Sequence, residues 1–186
     1  VTRAGAAAAR GPEAAPFYAE VAEASQGAHA FWIEARDGVR LRAALLSEGP
    51  EGTVLLFHGR TEYAEKYGAV ARWLGGRGFS VLTVDWRGQG LSARLLPDVA
   101  VGHVVAFADY QADVAALLDA ADSMGLPGPR HLLAHSMGGA IGLRALMEGL
   151  PVASAAFSAP MWGILMSAGL RPVARALGRA SRPLGL

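Results

Sequence analysis

Residues 134–139, Ala-His-Ser-Met-Gly-Gly, are the stretch of this sequence best suited to covalent chemistry. A serine hydroxyl is a poor nucleophile unless it projects from a strained turn and meets a base and an oxyanion site. A sharp strand-to-helix turn leaves little room beside such a serine, so small residues are needed two places before and two after it. Ala134 and Gly138 meet that need around Ser136, and Gly139 adds room for close approach. A helix starting here also aims unpaired N–H groups at any negative charge that develops, with the Met137 N–H as the first donor. The same serine in a Gly-rich helix entry can act only as an N-cap. A strand expected before it and a helix after it favour the nucleophile. His135 neighbours Ser136 and is expected to point away from it across the turn.

A second block, His58-Gly59-Arg60-Thr61-Glu62, directly follows the apolar run 53–57. A loop there, across the sheet from the serine, supplies a second backbone N–H, expected from Arg60, whose side chain is incidental. His58 is read as a structural histidine that fixes this loop by hydrogen bonds, with Gly59 supporting it.

The elements that must position these residues alternate along the chain. Runs 31–35 and 39–46 flank Arg36-Asp37-Gly38, a turn signal that predicts a hairpin. Runs 53–57, 80–84, 130–134 and 152–158 read as further strands, the apolar ones suited to burial on both faces. Helices are expected over 65–74, stopped by Gly75 and Gly76, over 107–123 and over 138–148. Asp109 and Asp113 fall in the early turns of the second of these, where carboxylates complement the helix dipole. A hairpin followed by strand–helix units predicts an α/β fold, a mostly parallel sheet with helices on both faces.

Composition narrows the function classes. The 186 residues fit one domain, and with 52% hydrophobic and 18% charged residues the chain can build a core. No apolar run reaches the length of a membrane span. Cysteine is absent, which removes disulfides, thiolate metal sites and a Cys nucleophile. A net charge of +1 argues against nucleic acid as a partner. Of the 17 basic residues only Lys66 is not arginine, a coding bias rather than a role for Arg. Residues 1–28 read as a flexible leader without a secretory core, which makes the cytoplasm the default location.

Three blocks in order, HGRTEYAEKY at 58–67, DWRGQGLS at 85–92 and AHSMGG at 134–139, resemble the α/β-hydrolase superfamily, and within it the monoacylglycerol lipase and lysophospholipase group. The likeness covers about 31–162. It implies an α/β-hydrolase fold and a serine hydrolase that cleaves carboxylic esters of monoacylglycerol or lysophospholipid type through an acyl-enzyme, without metal or organic cofactor. It implies Ser136 as nucleophile and Arg60 and Met137 as oxyanion-hole donors. Ala134 departs from the glycine usual at that place and is small enough to serve. The pair Gly88 and Gly90 lacks the full phosphate-binding fingerprint and reads as a turn braced by Asp85 and Arg87.

The base and acid are the gap. A serine hydrolase of this fold orders its triad as serine, then carboxylate, then histidine. After Ser136 the sequence holds only Glu148 among carboxylates and no histidine. His131 lies in the incoming strand, and His103 is a remote candidate on a loop. Residues 29–159 therefore read as the N-terminal part of a hydrolase core, truncated after about the sixth strand, and 160–186 as the start of a cap, with the acid and histidine expected beyond this chain. Alone, the chain is expected to be inactive or strongly impaired. The other reading is a non-catalytic α/β-hydrolase-like binding protein.

Arg171, Arg175, Arg179 and Arg182 recur at helical spacing in a tail without acids. That face either makes peripheral contact with an anionic membrane or stays solvated while Met161, Trp162, Ile164, Leu165 and Met166 cover the cleft.

Overall fold

The computed structural model describes residues 12–163, 167 and 169–181. Seven strands, β1 (Ala14–Ala15), β2 (His29–Glu34), β3 (Arg40–Ser47), β4 (Gly52–Phe57), β5 (Phe79–Val84), β6 (Arg130–His135) and β7 (Ser154–Ser158), form one sheet in the order β1-β2-β3-β5-β4-β6-β7. The three ladders at the β1 side are antiparallel, and β5, β4, β6 and β7 run parallel. The helices are α1 (Ala19–Ala22), α2 (Gly68–Gly75), α3 (Tyr110–Ser123), α4 (Met137–Met147) and α5 (Leu170–Ser181), with short 3-10 turns at Ala64–Tyr67 and Phe107–Asp109. The fold is that of an α/β hydrolase carried as far as β7.

Successive side chains of a strand point to opposite faces, and the central strands divide their apolar residues accordingly. Leu55, Phe57, Leu82 and Val84 join Leu117, Ala121 and Ile141 of α3 and α4 on one face. Val54, Leu56 and Val81 join Ala71 of α2 on the other. With helices on both faces, β4 is buried throughout, which is why its sequence is a continuous apolar run. The hairpin closes where Arg36-Asp37-Gly38 predicts, with Gly38 at φ 79°.

Two expectations need correction. Residues 12–28 are docked rather than loose, while 1–11 lie outside the described residues. Ala14 and Ala15 pair with Phe31 and Ala30, and the Trp32 N–H donates to the Glu13 carbonyl at 2.8 Å. A Cβ on Gly68 would collide with the Ala22 carbonyl oxygen, so the backbone of this segment lies directly on the start of α2. Edge pairing, that close approach, and the packing of Ala15 and Phe17 on the core fix the segment. Asp113 does more than complement a dipole: it is fully buried, and its carboxylate accepts from the Arg87 Nε at 2.8 Å.

Ile164, Leu165, Met166 and Arg182 lie outside the described residues. Met161 packs against the core and Trp162 against Phe157, ring centroids 5.1 Å apart. The residues of α5 are exposed as far as they are described. Among the described residues no helix is long and apolar enough to cross a membrane.

Candidate active site

The sheet order places β4 between β5 and β6, so the chain leaves β4 to one side and returns on the other. Such a reversal opens a crevice at the carboxyl ends of the strands. Phe57 of β4 pairs with Ala134 of β6. The next residues on the two strands, His58-Gly59 and His135-Ser136, emerge side by side. A Cβ on Gly59 would lie 3.1 Å from the Ser136 Cβ. Ladder register thus brings together two blocks that are far apart in the sequence.

Ser136 has φ 50° and ψ −118°, a conformation that costs a non-glycine residue about 1–3 kcal/mol and persists only where the surroundings enforce it. Here they do. Its N–H donates to the Ser158 carbonyl at 3.1 Å, and its own carbonyl accepts from the Gly139 and Met161 N–H groups, each at 2.9 Å. The side chain makes no capping hydrogen bond, so the N-cap role does not describe this serine. A Cβ on Gly138 would collide with the Phe57 carbonyl oxygen, and one on Gly139 would meet the Pro160 side chain at 2.7 Å. Gly138 lets α4 start hard against the end of β4, and Gly139 lets it lie against the chain leaving β7. Ala134 is fully buried, its methyl group accommodated in the core.

Of three consecutive amides in the facing loop, two are occupied. The Gly59 N–H donates to the Glu62 carboxylate at 2.6 Å, and the Thr61 N–H to the Gln89 side-chain oxygen at 2.5 Å. No acceptor among the described residues takes the Arg60 N–H. The Met137 N–H opens α4 and has no intrahelical partner. The Arg60 side chain is tied down as well, donating to the Gly102 carbonyl at 3.1 Å.

His58 is fully buried; its Nδ1 lies 2.9 Å from the Gly59 carbonyl, and its own carbonyl accepts from the Trp86 indole at 3.0 Å. Burial lowers its pKa against the pull of Asp85, keeping the ring neutral. Its Nε2 has no hydrogen-bond partner among the described residues and stands 3.9 Å from Asp85. His135 turns to the Ser158 carbonyl at 3.1 Å and lines a groove of about 400 Å³ with Phe57, Tyr67 and Val70. His131 pairs with the Ser154 hydroxyl at 2.8 Å, and His103 is exposed. Among the described residues no imidazole or carboxylate hydrogen-bonds the Ser136 hydroxyl. Nor is any group of three His, Asp or Glu side chains among them placed to hold a metal.

The 85–92 turn is built as expected and more heavily. Asp85 accepts from the Arg42 Nε at 2.8 Å, the Ala64 N–H at 2.9 Å and the Leu91 N–H at 2.8 Å. Arg87 joins Asp113 to Asp37, 2.6 Å away. Gly90, at φ 51°, lies so close over Asp85 that a Cβ would overlap its carboxylate; the glycine pair serves the turn.

Sequence reasoning assigns no role to Glu62, Gln89 or Glu65. Glu62 is buried with its carboxylate on Gly59, Tyr67 and Lys66. Burial raises its pKa, but the bonds from Lys66, Tyr67 and the Gly59 N–H outweigh this and hold it at about 2. The four-residue spacing from Glu62 to Lys66 is the one signal the sequence offers.

The profile of the family described as serine aminopeptidase, S33, matches residues 48–185. The chain belongs to this family. Among its relatives, lysophospholipase L2 of Escherichia coli (strain K12) is 43% identical over 129 residues, 69% of this chain and 37% of that protein. Monoacylglycerol lipase of Mycolicibacterium smegmatis is 35% identical over 92 residues, 50% of this chain and 31% of that protein. The chain thus spans well under half the length of these curated relatives. A thermostable carboxyl esterase of Bacillus coagulans, solved with glycerol, superposes with a TM-score of 0.69 at 18% identity, over 85% of this chain and 52% of that one. It shares the fold.

Proposed function

We propose that this chain carries the nucleophile half of a serine hydrolase acting on monoacylglycerol or lysophospholipid esters. The observation that carries the reading is the conformation of Ser136, held at φ 50° between β6 and α4 with its hydroxyl unused as a cap. Ser136 attacks the ester carbonyl, the Arg60 and Met137 N–H groups receive the oxyanion, and the alcohol leaves to give an acyl-enzyme that water then cleaves. The base and acid come from polypeptide beyond the 186 residues, which is in keeping with the share of the relatives that the chain spans. The names of the relatives support a lipid ester over a peptide as substrate.

The free hydroxyl without a base among the described residues favours one other reading, a binding protein that keeps the crevice without turnover. A fluorophosphonate probe separates the two. Labelling at Ser136 in a form extended to the relatives' length is the expected result; a fully extended form that never labels would establish the binding protein.

The cap is proposed to rest on an anionic membrane. On α5, Arg171, Arg175 and Arg179 occupy one side, while Leu170, Val173 and Leu177, each more than half exposed, occupy another. At about 1 kcal/mol per arginine near such a surface, replacing all three by Gln weakens binding to anionic vesicles by about 10²-fold. Flotation with anionic and with neutral vesicles measures this, and equal binding to both would end the electrostatic account.

A further inference from the structure

We propose that Glu62 and Gln89 are positioning residues that clamp the loop after β4 at Gly59 and Thr61 and leave the Arg60 N–H between them without an acceptor among the described residues. The catalytic consequence rests on the reading of Ser136 as nucleophile; the clamp itself does not.

Three observations carry it. The two occupied amides flank the open one, and each is taken by a side chain from outside the 58–61 loop. Thr61 sits at φ 58°, which for a β-branched residue is a strained backbone that needs to be held. Both clamping groups are themselves fixed: Glu62 accepts from the Tyr67 hydroxyl at 2.7 Å and pairs with Lys66, and Gln89, buried, belongs to the turn anchored on Asp85 and Arg87. Left-handed backbone at Thr61 sets the orientation of the peptide planes before it. Releasing either side chain lets those planes rotate, and an oxyanion donor displaced by about 1 Å loses about 10²-fold in rate.

The test uses a form extended to the relatives' length and four variants. Glu62→Ala and Gln89→Leu lower kcat for a p-nitrophenyl ester, and the rate of Ser136 phosphonylation, by about 10²-fold with KM little changed. Glu62→Gln and Gln89→Glu, which keep an acceptor oxygen, recover most of that loss. Amide exchange gives the second readout: the Gly59 and Thr61 amides are protected in the parent and lose protection in the Ala and Leu variants respectively. Rates within about threefold of the parent in both folded truncation variants would overturn the positioning role, as would conservative variants as slow as the truncated ones. If the parent neither turns over nor labels, the hydrolase reading fails and exchange alone decides: protected amides that open in the variants uphold the clamp, and amides unprotected in the parent overturn it. Should Glu62→Ala not fold, Gln89→Leu and the two conservative variants carry the same comparison.

Discussion

Ser136→Ala, made in a form extended to the relatives' length, is expected to lose hydrolysis of monoacylglycerol or lysophospholipid by at least about 10³-fold, leaving the residual that an oxyanion site and binding provide. The fold should be retained, because the hydroxyl caps nothing and the φ of 50° is imposed by backbone bonds to Ser158, Gly139 and Met161 that the variant keeps. Alanine meets the same backbone strain as serine. Turnover and thermal melting measured on one preparation give both answers. Unchanged turnover would remove Ser136 from the mechanism, and lost turnover with a collapsed melting transition would make it structural.

Glu65→Ala is expected to cost about 3–5 kcal/mol of stability, read from urea unfolding. Arg42 and Glu65 are both buried, joined by two bonds of 2.6 and 2.7 Å, and Arg42 is held besides by Asp85. Removing the carboxylate leaves a guanidinium with half its partners in a site without water's screening, and it frees the Tyr18 N–H that docks the N-terminal segment. Arg42→Met with Glu65→Leu should not recover the loss, since it strands the buried Asp85 carboxylate that also accepts from the Arg42 Nε. A loss below about 1 kcal/mol in the single variant would show the pair to be dispensable.

The same carboxylate ties stability to pH. Burial raises the Glu65 pKa, but the Arg42 bonds lower it further, to a net position below 4.5. A carboxyl depressed on folding contributes stability that is complete above its unfolded value and disappears as pH falls through its folded value. Glu62 acts in the same sense, between 4.5 and about 2. Acid unfolding of the parent should therefore begin below about pH 4.5, and Glu65→Ala should be less sensitive to pH there.

The features legible in the sequence are those set by neighbours along the chain. The hairpin follows from Asp37-Gly38, the buried strands from apolar runs, and the elbow from Ala134, Ser136 and Gly138 in order. Docking of the N-terminal segment is not legible, because two alanines paired through their backbone leave no side-chain pattern. Asp113 misleads because its partner Arg87 lies 26 positions away, and its local position suggests a dipole role instead. Glu62 and Gln89 act on amides through a loop geometry that only the folded chain displays.

The pairing of Phe57 with Ala134 has a wider implication. Where two strand tips share a rung, the spacing of the residues that follow them is inherited from backbone hydrogen bonding, the least mutable dimension of a protein. In the proposed hydrolase, side chains elsewhere can diverge and alter which ester is admitted, while the distance between the Ser136 oxygen and the Arg60 and Met137 amides stays as the sheet dictates.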